Sequence, residues 1–102
     1  MRLFEIKNVE DCFDGSSVFQ YWFEDRWTED EILSLSILGK VEYFPEFPRP
    51  FFRVTGETGL QLKGVEGENN CRVILPATGK EVLRKKVFEF LKGKENLNGS
   101  GQ

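Results

Sequence analysis

Histidine is missing altogether from the 102 residues of this chain. Its absence removes the side chain whose unperturbed pKa lies nearest neutrality, and with it every Ser-His, Cys-His and His-metal constellation. Cysteine is scarce as well. Cys12 and Cys71 form no C-x-x-C pair, which excludes a zinc ribbon or a thioredoxin-like motif and leaves two buried thiols as the expectation. No stretch approaches the roughly 18 consecutive apolar residues of a membrane-spanning helix. The opening Met1-Arg2-Leu3-Phe4-Glu5 places charge where a signal peptide would carry its apolar stretch. These absences lead us to expect a cytoplasmic protein without membrane contact, metal or cofactor.

What is present is aromatic and unevenly charged. Phenylalanine occurs ten times, as often as leucine, so the core should be built on rings. The net charge of −3 divides into −6 over residues 1–31 and +3 over residues 32–102. Such asymmetry reflects either complementarity between the halves or a basic surface for an anionic partner. At this length the chain is one domain, able to bury about two-thirds of its unfolded surface around a single core.

Arg2 to Lys7 reads as a short edge strand, and Asp11 to Ser17 as a turn around Asp14-Gly15-Ser16. Val18 to Glu24 is a strand dense in β-branched and aromatic residues, covered at least partly on both faces. Thr28-Glu29-Asp30-Glu31 has capping-box spacing and opens a helix of roughly three turns. Ile32, Leu35 and either Leu38 or Ser36 continue at helical spacing, and Gly39 stands where a left-handed end residue is expected. Strands follow near Val41–Phe44, Phe51–Thr55, Leu60–Val65 and Cys71–Leu75, joined by Gly- and Asn-rich hairpin connections. Prolines 45, 48 and 50 cannot donate to a ladder, so Phe44 to Pro50 should be a loop. A second capping box, Thr78-Gly79-Lys80-Glu81, opens a helix that should end at Gly93, with Leu83, Val87, Phe90 and Leu91 on one stripe. Residues 94–102 are too polar to bury anything and should be a disordered tail behind a single domain of residues 1–93.

The element order β-β-α-β-β-β-β-α, with one apolar stripe per helix, predicts an α+β two-layer sandwich. Its sheet should be mostly antiparallel, of five or six strands, with both helices on one face. The other sheet face then meets solvent or a partner. Alternation assigns Phe52, Val54, Leu60, Leu62, Val73 and Leu75 to the covered side and sends Arg53, Lys63 and Arg72 to the open one. Like charges across a ladder are unfavourable, so this cluster implies either interleaved acids or an anionic ligand. Glu24, Glu42 and Gln20 are the groups that could neutralise it.

Tyr43 to Phe52 holds five aromatics and three prolines in ten residues. A proline-stiffened loop presents rings at low entropic cost, which suits recognition of another chain; the plain alternative is that the rings plug one end of the core. Phe44, Phe47, Arg49 and Phe51 are the candidate interface residues, with Phe47 and Arg49 expected to be exposed. Catalytic chemistry is poorly supported. Asp11, Asp14, Glu24 and Asp25 have no fixed separation as an acid-base pair, and Thr78-Gly79-Lys80 does not complete a phosphate-binding loop, because Ile74 replaces its first glycine and Glu81 its Ser or Thr.

The sequence is therefore read as a non-enzymatic protein-interaction module that uses the aromatic-proline segment and the open sheet face. The alternative is a binder of an anionic small molecule or nucleic acid through Arg53, Lys63 and Arg72. A pI near 5.0 argues against strong phosphate-backbone affinity, so another protein is preferred over nucleic acid as the partner. An edge strand could pair with a second copy, so a monomer or a weak homodimer is expected.

Overall fold

Six strands, none with an internal proline, all pair antiparallel in one sheet. The computed structural model describes residues 1–99, with side chains through residue 92. In chain order the elements are β1 (Leu3–Asp11), β2 (Ser17–Phe23), α1 (Glu29–Leu33), a 3₁₀ turn (Ser34–Ile37), β3 (Lys40–Phe44), β4 (Phe51–Thr55), β5 (Gln61–Val65), β6 (Asn70–Leu75) and α2 (Lys80–Gly99). The strand order is β1-β2-β6-β5-β4-β3. After the β1–β2 hairpin the chain crosses by α1 to the far edge of the sheet. The meander β3 to β6 then walks back until β6 pairs with β2.

Both helical segments cover the same face. Ile32, Leu35 and Leu38 from the first and Val87 and Leu91 from the second join one core with Phe19, Tyr21, Phe23, Trp27, Phe52, Val54, Leu62, Cys71, Val73 and Leu75. Leu83 and Phe90 pack at its margin, completing the stripe expected of α2. No helix among the described residues is long and apolar enough to cross a membrane.

Thr28 caps α1 as expected, its hydroxyl accepting from the Glu31 N–H at 3.3 Å. The helix is shorter than its pattern suggests. Ser34 donates its hydroxyl to the Glu31 carbonyl at 2.6 Å, and from that residue the backbone tightens into the 3₁₀ turn. Gly39 is not left-handed; among the described residues the glycines with positive φ are 15, 59, 67 and 79. The second cap also differs from expectation. α2 begins directly after Gly79 at φ +73°, so glycine rather than Thr78 precedes the first helical residue, because the approach from Pro76 requires a left-handed backbone that glycine adopts without strain.

The α2 backbone continues past Gly93, the expected end, to Gly99. A glycine within a helix costs about 1 kcal/mol relative to alanine and does not by itself stop one. Of the expected tail, residues 94–99 thus lie in α2, and residues 100–102 fall outside the described residues. The two thiols also differ from each other: Cys71 is buried, whereas Cys12 is only partly covered.

Candidate binding site on the open sheet face

The register aligns one residue from each strand into a single row across the uncovered face. Lys7 opposes Gln20, Gln20 opposes Arg72, Arg72 opposes Lys63, Lys63 opposes Arg53, and Arg53 opposes Glu42. Arg53, Lys63 and Arg72 are therefore direct cross-strand neighbours, as alternation expected, and all three are exposed. Their neutralisation is partial. Glu42 accepts from Arg53 Nε and Nη2, each at 2.8 Å, and the Gln20 side-chain oxygen lies 3.4 Å from Arg72 Nε. Glu24, the third group considered, points to Arg2 at 3.8 Å instead. Lys63 has no ion-pair or hydrogen-bond partner among the described residues.

Two residues along each strand, a second row runs parallel to the first and is mostly apolar. Phe44 opposes Phe51, Phe51 opposes Val65, and Trp22 opposes Asn70. The β3–β4 loop folds Phe47 back onto this row. Its ring lies 6.0 Å from Phe44 and 5.2 Å from Phe51, while Phe44 and Phe51 stack at 4.7 Å. Phe47 remains 48% exposed and the other two rings are half-buried, so the cluster rests on the sheet rather than closing the core.

The loop is tied to the neighbouring β5–β6 turn. Arg49 meets Glu68 at 2.9 Å, the Glu66 N–H donates to the Pro50 carbonyl at 2.9 Å, and Tyr43 donates its hydroxyl to Glu66. The turn is anchored in turn by Trp27, whose indole N–H donates to the Asn70 carbonyl at 3.0 Å. Arg49 is exposed as expected, with its charge engaged by Glu68.

Between the two rows lies an open concavity of about 460 Å³ lined by Gln20, Phe51, Arg53, Lys63, Val65, Glu68, Asn70 and Arg72. Its size falls within the roughly 300–1,000 Å³ of small-ligand sites. A larger depression of about 680 Å³ lies between the 3₁₀ turn and α2, but no aromatic ring lines it. Trp22, Val65, Glu68 and Asn70 were not singled out from the sequence, whereas Gln20 was expected to answer the cations and does reach Arg72. They reach the site because β2 pairs with β6 and because the β5–β6 turn folds against the proline loop.

The acid-base candidates separate. Asp11 accepts from Ser17 at 2.7 Å and Asp14 from Ser16 at 2.7 Å; these bonds hold both carboxyls below the usual aspartate range. Glu24 and Asp25 sit at the opposite end of β2, roughly 20 Å away for a seven-residue strand. Paired catalytic carboxylates lie about 5–10 Å apart.

Two phenols report on the packing. Burial pushes Tyr21 up to about 12, and the hydrogen bond to Glu66 raises Tyr43 to about 12 as well. Each holds its proton more tightly in the folded chain than at an unfolded value of 10.0, so the folded state binds more protons between those values. Stability is expected to be unaffected by either phenol below pH 10 and to fall as pH rises from 10 towards 12. Urea midpoints measured at half-unit steps from pH 9 to 11.5 check this, with Tyr43→Phe flattening part of the decline. An identical decline in that variant would show that Tyr43 takes no part. No protein-family model matches the chain, and neither does any curated protein or solved structure.

Proposed function

We propose that the chain is a non-enzymatic interaction module that docks a partner protein on the open face of its sheet, through Phe44, Phe47 and Phe51 with Arg49 at the rim. The observation that carries this reading is the three-ring cluster, held on a proline-stiffened loop with Phe47 half in solvent. Rings fixed before binding lose little side-chain entropy on contact, and large aromatic side chains dominate interface energetics. In this reading the protein acts in the cytoplasm, as a monomer or a weak homodimer.

The test replaces Phe47 with a photo-crosslinking phenylalanine analogue in the cells that make the protein, with the same analogue at exposed Val82 on α2 as a control. One discrete adduct is expected from position 47, weakened several-fold by Phe51→Ser, and none from position 82. No adduct at 47, or the same adduct from both positions, would defeat the reading. The alternative, an anionic small molecule or nucleic acid on Arg53, Lys63 and Arg72, draws support from the unpartnered Lys63. It predicts binding that weakens steeply with salt and is lost on Arg53→Glu while surviving Phe47→Ala.

A further inference from the structure

We propose that the segment received by the open face pairs an acidic side chain with an apolar one. Its carboxylate sits between Lys63 and Arg72, and its apolar side chain lies against Phe51 and Val65. This rests on the protein-docking reading above and specifies the chemistry of the partner.

The charge row is incomplete as it stands. Like charges directly opposite each other destabilise a sheet, and Lys63 has a cation across each of its two ladders. Glu42 answers Arg53 at the end of the row. Gln20 offers Arg72 an amide oxygen but no charge. Lys63 and Arg72 are thus adjacent cations without an acid among the described residues, facing a concavity that already holds Phe51 and Val65. One carboxylate placed between them would relieve their repulsion and supply charge-assisted hydrogen bonds.

The acids bordering the site set the limit on how much negative charge it takes. Glu42 stands at one end of the row and Glu68 lines the concavity. Both are engaged by arginines, Arg53 and Arg49, so neither is free to answer Lys63. A nucleic-acid strand carries a phosphate at every nucleotide and would run its charge against these carboxylates. A single acidic side chain touches only the unanswered pair. The apolar row beside it then selects an aromatic or aliphatic neighbour, since strand side chains two apart share a face.

The experiment is selection of a phage-displayed random dodecapeptide library on the full chain, followed by affinities of the synthesised peptides. Retained peptides are expected to carry Asp or Glu within two residues of an aromatic or aliphatic side chain. Amidating that acid should weaken binding tenfold or more, Lys63→Gln should do the same, and the two losses should not add. Because Lys63 is exposed and repelled, Lys63→Gln should also raise the melting temperature of the free protein, by about 1–4 °C. Peptides that bind without an acid, yet still lose affinity on Phe47→Ala, overturn this inference and leave the docking reading standing. Retention of no peptide, or binding indifferent to Phe47→Ala, overturns both. So does a thymidine dodecanucleotide that binds more tightly than every selected peptide and shifts the amides of residues 53, 63 and 72.

Discussion

Replacing Trp27 by alanine is expected to cost about 3–5 kcal/mol of folding stability, the range for removing a buried Phe or Trp side chain. The ring is 1% exposed and lies edge-on to Phe23 at 5.5 Å and to Phe52 at 5.0 Å. Truncation leaves a cavity between these rings and also removes the donor that satisfies the Asn70 carbonyl at 3.0 Å. A domain of this size is stabilised by about 5–15 kcal/mol in all, so about a fifth or more of the total is at stake. Thermal unfolding should move down by about 12–25 °C. Trp27→Phe keeps an aromatic ring but loses the N–H and two further atoms of the nine-atom indole, and should cost less than alanine, about 1–3 kcal/mol. Urea denaturation of the three proteins separates the contributions. An alanine variant within about 1 kcal/mol of the parent would mean that the site collapses without a cavity.

The main chain of residue 27, which the alanine variant keeps, also positions the open face. The Trp27 N–H donates to the Glu68 carbonyl, and its own carbonyl accepts from Gly67, each at 2.9 Å. Those bonds hold the turn that supplies Glu66 to Tyr43 and Glu68 to Arg49. The aromatic loop of the open face is thus positioned from the core.

Gly39→Ala should be among the most damaging glycine-to-alanine changes at the described residues outside α2. A Cβ built at this position would lie 2.4 Å from the Thr55 carbonyl oxygen, 2.8 Å from its carbon and 2.9 Å from Gly56 Cα. All three are backbone atoms, so relief requires parting β3 from β4 where Lys40 and Thr55 begin their ladder. Overpacking of a close-packed site costs about 1–3 kcal/mol, and backbone neighbours place this case at the upper end. Gly67→Ala is the informative contrast: it has nothing within 4 Å but a φ of +88°. Its cost is conformational alone, about 1–2 kcal/mol. Urea midpoints should therefore rank Gly39→Ala below Gly67→Ala, and the reverse order would show that the β3–β4 junction yields easily.

Gly39 also shows where a sequence reading reaches its limit. Its place after a helical pattern suggests a left-handed end residue, yet its backbone is ordinary and the need is for space beside Thr55. That need comes from a strand sixteen positions away in sequence, which no local pattern contains. Gly79 fails in the opposite sense. Its neighbour Thr78 has capping-box spacing, but the turn out of β6 demands a left-handed residue directly before the helix. The backbone path overrode a capping motif there, whereas α1 is shortened by a local bond, from the Ser34 hydroxyl to the Glu31 carbonyl three residues back.

The candidate site divides along the same line. Alternation alone places Arg53, Lys63 and Arg72 on one face, because side-chain direction in a strand has period two whatever the strand pairs with. The prolines at 45, 48 and 50 likewise make the aromatic segment a loop by removing ladder donors. Which neighbour answers which charge is not local. Glu42 reaches Arg53 and Glu24 does not, because β3 pairs with β4 whereas Glu24 leaves the end of β2 next to Arg2.

By itself, then, the amino-acid sequence determined the α+β class, the strand and helix order, the stripe of α2 and the two faces of the sheet. Each of these follows from periodicity, caps and proline chemistry within a few residues. Only the tertiary structure decided that β2 joins β6, that Lys63 stands between two cations with no acid of its own among the described residues, and that Phe47 folds back on Phe44 and Phe51 in half-exposed contact. Strand order and register are settled by which whole arrangement buries the most apolar surface with its backbone paired, a property of the entire chain that no segment carries alone.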